Sequence, residues 1–294
     1  MQYEFRPIAA CNMCGSTSHK LLGLRLSQSQ GFRPRHAEGI AVAVKRCLSC
    51  GLIFADPQPV PDNIGDHYGI PSEDYWTNEK LSWTSAYFGR EIAEAKRLLS
   101  FKEGMRALDI GSGPGTAMRS MSVAGFDTWG CEPGEQFRSH SIITMDLDPD
   151  RIQLATVEEA EYPANFFDFV TFGAVLEHLY DPRAAIDRAM TWLRPGGILH
   201  LEVPNADWLI ARLVNLYYRL AGTTLVTHLS PMHQPFHLYE FTPRSFAAFE
   251  IAGQWIDPCT PIHVAGPLKP LAVRLMEATG TGMQLTMFLR HKDS

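Results

Sequence analysis

The stretch Leu108-Asp109-Ile110-Gly111-Ser112-Gly113-Pro114-Gly115 decides the reading of this chain. Arg106-Ala107-Leu108-Asp109-Ile110 has the composition of a buried strand, and helical spacing resumes over Thr116–Ala124, so the glycines sit where a strand turns into a helix. Glycine lets the backbone turn sharply and approach a ligand, and the helix behind it presents unpaired N–H groups. A glycine-rich loop by itself fits dinucleotide enzymes equally well. Three details discriminate. The glycines alternate as GxGxG rather than GxGxxG. Asp109 stands two residues before the first glycine, where a carboxylate suits a cationic amino-acid end and repels a pyrophosphate. Glu132 closes the next strand, 23 residues after Asp109, placed to accept both hydroxyls of a ribose. Glu132 would also serve a nicotinamide cofactor, so the weight rests on Asp109 and the spacing.

Outward from the loop, strand and helix patterns alternate. A helix is expected over about 83–101, strands at Thr128–Glu132, Ile152–Val157, Phe169–Gly173 and Ile198–Val203, and helices at Gly134–Ile142 and Ala184–Leu193. Such alternation predicts an α/β domain with a parallel sheet covered on both faces. Near the end, Ser245–Ile251 reads as a helix and Gln284–Arg290 as a strand, with Ile262–Ala265 as its hairpin partner. Residues 206–222 carry Trp208, Leu209, Leu213, Leu216, Tyr217, Tyr218 and Leu220 at helical spacing, which suits a pocket wall or plain core packing.

Residues 104–205 resemble the core of the class I methyltransferases, especially the branch acting on quinones, sugars and natural products. The likeness rests on the DIGSGPG loop, Phe167-Asp168-Phe169-Val170, Val175-Leu176-Glu177-His178-Leu179-Tyr180-Asp181-Pro182, Leu193-Arg194-Pro195-Gly196-Gly197 and Val203-Pro204-Asn205, in that order. The resemblance implies a Rossmann-like seven-stranded sheet with a reversed last strand, helices on both faces, and S-adenosylmethionine as cofactor. Carried onto this chain, its cofactor contacts fall at Asp109, Gly111, Ser112, Gly113, Gly115, Glu132, Thr156, Val157, Glu158, Phe172 and Ala174. Thr156 stands where the family usually has an acidic residue, and Glu158 follows two positions on.

Four of the six cysteines form two like pairs, Cys11-Asn-Met-Cys14-Gly15 and Cys47-Leu-Ser-Cys50-Gly51. A two-residue gap lets both thiolates of a pair turn onto one ion, and four thiolates close a tetrahedral structural Zn2+ site. Redox-active or unrelated thiols are the competing reading; a reducing compartment favours metal. Cys131 and Cys259 read as core residues. The expected module is a zinc ribbon over 1–60, leaving through Asp56-Pro57-Gln58-Pro59-Val60-Pro61, then a linker and helical cover over 61–103, and a methyltransferase domain over 104–294 with a substrate lid at about 206–243. With this module the chain resembles sugar C-methyltransferases and related natural-product enzymes, without the long C-terminal extension of the sugar enzymes.

Methyl transfer from a sulfonium is an in-line displacement that positions the acceptor and often removes a proton. His178, after the fourth strand, is a candidate base, since imidazole accepts protons near neutral pH; the Glu177-His178 pair also suits a helix cap or pocket wall. His233 and His237 lie in the histidine-rich segment Thr227–Pro243, expected over the acceptor. Their i, i+4 spacing also suits a metal, although Pro235 between them argues against a regular helix.

Net charge is -6, yet residues 1–60 hold seven Lys/Arg against three acidic residues. The acidic remainder opposes a nucleic-acid partner, and the basic start suits a phosphate on a small substrate or carrier. No stretch is long and apolar enough to span a bilayer, and the first residues lack a secretory pattern, so a cytoplasmic location is expected. The expected activity is methyl transfer to a hydroxyl, carbon or amine of a small molecule. An RNA methyltransferase gripping its substrate through the ribbon, or a silent cofactor-binding module, are the alternatives. Oligomeric state is not legible.

Overall fold

The computed structural model describes residues 3–26, 40–63, 82–229, 236–258 and 269–292. Its centre is a seven-stranded sheet built from β6 (Arg106–Ile110), β7 (Asp127–Cys131), β8 (Ile152–Gln153), β9 (Phe167–Gly173), β10 (Leu193–Pro204), β12 (Glu250–Asp257) and β13 (Gln284–Arg290), in the order β12-β13-β10-β9-β6-β7-β8. The β6, β7, β8, β9 and β10 pairings are parallel, and β13 runs antiparallel to both β10 and β12. This is the α/β sheet with a reversed last strand that the resemblance implies. The strands are nearly continuous apolar runs because both faces are covered. On one face Ala107, Phe169, Ile198 and Phe288 pack with Ile92 and Ala95 of α1 (Gly89–Leu99) and Met121 of α2 (Thr116–Val123). On the other, Leu108, Val170 and Leu199 pack with Ala185, Ile186 and Ala189 of α4 (Pro182–Trp192). The helix α3 (Glu135–Ile143) connects β7 towards β8.

The parallel strands all deliver their carboxyl ends to one edge. There β6 meets Gly111, β7 meets Glu132, β9 meets Ala174 and β10 meets Asn205, so residues far apart in sequence share one rim.

The N-terminal strands β1 (Tyr3–Arg6), β2 (His19–Arg25), β3 (Val42–Cys47), β4 (Ile53–Ala55) and β5 (Gln58–Pro61) do not stand apart. β1 pairs with β5, while β2, β3 and β4 form a meander whose fourth strand, β11 (Tyr239–Glu240), comes from beyond β10. Tyr239 pairs with Phe54 and Glu240 with Ile53. A second seam joins Leu24 to Leu225. Between these lies α5 (Leu209–Leu220), as expected within 206–222, but its stripe points outward: Leu213, Leu216, Tyr217 and Leu220 are exposed, and Ala211 and Asn215 are its buried positions.

Two expectations at the end of the chain change. The helix read at Ser245–Ile251 is a 3-10 turn, Pro243–Phe246, followed by the strand β12. Thr242 and Ser245 form a capping box that starts the turn, but the edge of β13 offers Glu250–Asp257 a full ladder, which overrides the local helical spacing. That strand is the hairpin partner of β13; Ile262–Ala265 lies outside the described residues. The strand expected over Ile152–Val157 ends at Gln153, and α6 (Lys269–Thr279) precedes β13. Cys131 is buried, and Cys259 lies outside the described residues.

Phe54 is fully buried at the middle of the seam, flanked by β3 and β11 and edge-on to His19 at 4.9 Å. Its replacement, Phe54→Ala, is expected to weaken one common unfolding transition by about 3–5 kcal/mol. Denaturant unfolding followed by near- and far-UV signals checks this; an early, separate N-terminal transition would show that the seam does not couple the sheets.

Candidate functional site

The loop after β6 is wrapped tightly. Gly111 has φ +66, and a Cβ there would stand 2.8 Å from Val175 Cγ2, so no other residue fits without moving the strand-four exit. Gly115 supplies the left-handed turn that opens α2. Gly113 N–H donates to Glu132 Oε2 at 2.8 Å, and Gly134 N–H donates to Oε1 at 2.7 Å. Two backbone donors therefore fix the Glu132 carboxylate, and each oxygen retains a lone-pair direction for a diol. Burial pushes Glu132 up to about 6, against the pull of those two N–H groups.

Asp109 is 4% exposed, and no described residue donates a hydrogen bond to its carboxyl. Burial first and the charge of Glu132 second push it up to about 8. Ser112 Oγ is buried without a hydrogen-bond partner among the described residues. An unneutralised buried carboxyl, an unpartnered hydroxyl and a pinned second carboxylate on one rim fit a ligand with a cationic amino-acid end and a ribose.

Further along the rim, Val157 is buried and Glu158 is exposed. Thr156 N–H and Oγ1 both donate to Glu159 Oε2 at 3.2 Å, which closes a local turn beyond β8. Phe172 is buried in the core, beneath the open space left by Gly173. Ala174 takes φ +56 and donates its N–H to the Glu202 carbonyl at 3.0 Å, which turns the chain over the rim.

A 3-10 turn at Leu176–His178 then buries Glu177 and His178. His178 Nδ1 lies 2.9 Å from the Phe236 carbonyl oxygen, so Nδ1 carries the proton and Nε2 is the basic nitrogen of the neutral ring. The rings of His178 and His237 meet edge-on at 4.7 Å. Ligand atoms of Glu177, His178 and His237 lie within 4.8 Å of one another. Burial pushes Glu177 up to about 8, and its Oε2 has no partner among the described residues. The third predicted histidine, His233, lies outside the described residues. Glu177 was visible in sequence only as part of a motif, since nothing there showed that Leu238 N–H would dock on its carbonyl at 2.7 Å and bring His237 alongside. A second pair had no sequence signal: His228 Nδ1 meets Glu240 Oε2 at 2.6 Å, twelve residues on.

The four paired cysteines converge. Sγ of Cys11 lies 3.6 Å from that of Cys50, Cys14 and Cys47 match at 3.6 Å, and all four fall within 4.8 Å. A tetrahedron with metal–sulfur bonds of about 2.3 Å has edges near 3.8 Å, so the thiols fit one ion. Gly15 and Gly51 close the two knuckles by N–H donation to the carbonyls of Cys11 and Cys47. The knuckles touch the rim: Asn12 Nδ2 donates to the Tyr180 carbonyl at 3.1 Å, and Thr242 Oγ1 donates to the Cys50 carbonyl at 2.7 Å.

The Asp109 carboxyl has a testable consequence. An ordinary unfolded aspartate titrates near 3.9, far below its folded value of about 8. Between these values the unfolded chain has released the proton and the folded protein keeps it, so stability falls as pH rises from about 4 to about 8. Asp109→Asn in ligand-free protein is expected to match the parent near pH 4 and to exceed its Tm increasingly up to pH 8. Thermal unfolding across that range measures it, and a pH-independent difference would contradict the shift.

Comparison with known proteins bears on the same residues. A family model described as a methyltransferase domain matches residues 83–248, more than half of the 294. The ubiquinone biosynthesis O-methyltransferase of Erwinia tasmaniensis is 32% identical over 133 residues, covering 42% of this chain and 54% of that protein. The ubiquinone biosynthesis O-methyltransferase of Cronobacter sakazakii is 31% identical over 200 residues, covering 64% and 76%. This chain thus spans about half the length of the Erwinia relative. A crystal structure of an S-adenosylmethionine dependent methyltransferase from Mesorhizobium loti aligns with a TM-score of 0.48 at 15% identity, covering 72% of this chain and 100% of that one. Among the described residues no helix is long and apolar enough to cross a membrane. With the matched segment holding the glycine loop, Glu132 and the His178–His237 pair, the chain belongs to the methyltransferase-domain family, on the class I S-adenosylmethionine-dependent methyltransferase fold.

Proposed function

We propose that this protein transfers a methyl group from S-adenosylmethionine to a hydroxyl oxygen of a small-molecule acceptor. The observation that carries the reading is the shared rim. The Asp109–Gly115 loop and the Glu177–His178–His237 cluster hang from neighbouring strands β6 and β9, with Gly111 packed against Val175. The Erwinia and Cronobacter proteins are named O-methyltransferases of ubiquinone biosynthesis, which favours oxygen over carbon or nitrogen as acceptor. The acidic balance of the chain supports a small molecule over nucleic acid.

When bound, the cofactor supplies a methyl group made electrophilic by its sulfonium. Asp109 faces the cationic amino-acid end, Glu132 accepts from the ribose hydroxyls, and the loop from Gly111 to Gly115, with the segment 156–158, shapes the rest of the cradle. On the acceptor side His178 takes the hydroxyl proton at Nε2, because Nδ1 is committed to the Phe236 carbonyl. His237, edge-on to His178, orients the acceptor. Removing the proton while the acceptor is held in line is the work left to the protein.

The same proposal gives Cys11, Cys14, Cys47 and Cys50 a structural Zn2+ that braces the rim through Asn12 and Thr242. In this reading 1–60 is the zinc module, 61–103 its connection and cover, and 104–294 the catalytic domain, with 206–243 over the acceptor.

Calorimetry with S-adenosylmethionine and turnover on a catechol acceptor test the reaction. Gly113→Val, a β-branched residue forced to φ +50, is expected to abolish cofactor binding. His178→Ala is expected to keep cofactor binding and to lose about 10²–10⁴-fold in turnover. Unchanged binding in the first variant would sink the loop assignment, and unchanged turnover in the second would sink the base.

Metal analysis of the purified full chain is expected to give about one zinc per chain, lost in a Cys47→Ser/Cys50→Ser variant together with several degrees of Tm. A zinc-free protein with the parent Tm would remove the metal.

A further inference from the structure

The least satisfied cation among the described residues is Arg25, the last residue of β2. It is 3% exposed, yet its guanidinium makes no hydrogen bond or ion pair with any described residue, and its Nε is buried without a partner. Two other arginines also bury an unpartnered Nε, but Arg188 and Arg290 each anchor Nη2 on a carbonyl, of Ala160 and Leu98. The neighbouring cations of the N-terminal sheet are likewise engaged, Arg46 on Asp207 at 2.9 Å and Lys45 on Asp56. Among the buried arginines of the described residues, Arg25 is the one whose planar fork of donors meets no acceptor.

Its position is fixed by the seam between the N-terminal sheet and the cover. Leu24 N–H donates to the Thr224 carbonyl at 2.8 Å, and Val226 N–H donates to the Leu24 carbonyl at 3.0 Å. Gly23 permits that approach, since a Cβ there would stand 2.2 Å from the Thr224 oxygen. The guanidinium is thereby held under α5 and beside β11, where the Glu240 carboxylate is the charge that reaches it. Glu240 does not satisfy it. Its Oε2 meets His228 Nδ1 at 2.6 Å, and its Oε1 accepts from Leu229 N–H at 2.6 Å. Leu229 takes φ +63, an uncommon conformation for a branched side chain, which lets its N–H reach Glu240. Asn215 Oδ1 is likewise occupied, by Thr227 N–H and Oγ1. Both Glu240 oxygens and Asn215 Oδ1 thus take their donors from the segment 227–229 and none from Arg25, whose guanidinium keeps its N–H groups for another oxygen.

We propose that Arg25, braced by the His228–Glu240 pair, is a binding site for a carboxylate or phosphate group carried by the methyl acceptor. A planar guanidinium with no internal partner matches two oxygens of one such group. The seam joins β2 to the segment 224–229, so the anion would tether the acceptor beneath the cover. This rests on the reading of 206–243 as the acceptor's cover.

The test uses the full chain and three probes: inorganic phosphate, phenyl phosphate and benzoate, each against chloride at equal ionic strength. At least one probe is expected to raise Tm by about 2–4 °C. Arg25→Met is expected to abolish that rise while matching or exceeding the parent Tm without anion, because it replaces an uncompensated buried charge by an apolar stem. Phosphate and benzoate arms separate the two chemistries. The proposal is overturned if no probe shifts the parent, if the variant shifts equally, or if the variant is less stable or fails to fold, which would make Arg25 structural. Cofactor calorimetry on both proteins keeps this apart from the methyl-transfer reading. Equal S-adenosylmethionine affinity in parent and variant is expected, and loss of cofactor binding by both would sink methyl transfer without touching the anion shift.

Discussion

Two residues of backbone pairing hold this molecule's working parts together. Tyr239 and Glu240 lie against Phe54 and Ile53, so the chain leaving β10 closes the N-terminal sheet instead of returning directly to the central one. From that strand the Tyr239 hydroxyl donates to the Tyr180 carbonyl, Leu238 N–H docks on the Glu177 carbonyl, and Thr242 reaches the Cys50 knuckle. The histidine cluster, the cysteine cluster and the Arg25 seam are all hung from it. A short strand suffices because its neighbours are among the most deeply buried side chains of the chain, Phe54, Tyr239 and Phe241.

The second constraint is electrostatic. Burial drives Asp109, Glu132, Glu177 and Glu202 upward on and near the rim, with no arginine or lysine of the described residues in contact to offset them. A protein built for stability alone would not gather carboxyls there. A cationic ligand would relieve that cost on entering, which is the selectivity the proposed cofactor site requires. Arg25 is the converse case in the N-terminal seam, a buried cation with no hydrogen bond to an oxygen of the described residues.

Much of this was legible beforehand, and the reasons are local. The β6 loop was read from three glycines and an aspartate because φ above zero and close backbone approach leave few alternatives to glycine. The paired cysteines were read because a two-residue gap is short enough for both thiols to turn together. Elsewhere local pattern misled. Ser245–Ile251 has helical spacing, and its capping box does begin a turn, but Ile251, Trp255 and Ile256 find their partners along β13. The spacing of α5 was read as a pocket wall or core packing, yet its leucines face outward and the small and polar Ala211 and Asn215 face in. Periodicity gives the stripe and not the side on which the rest of the chain lies.

The amino-acid sequence by itself determined the α/β class and located the glycine loop, the carboxylate at the end of the next strand and the two cysteine pairs. Each of these is encoded within a few neighbouring residues whose conformational or ligand-binding demands are strict. The tertiary structure alone decided which distant groups meet: His178 with His237 and His228 with Glu240, while Arg25 is buried with no hydrogen bond among the described residues. Those meetings depend on long-range strand pairing and on burial, which no window of sequence contains, because the partners are brought together by the seam and by the shared edge of the parallel sheet.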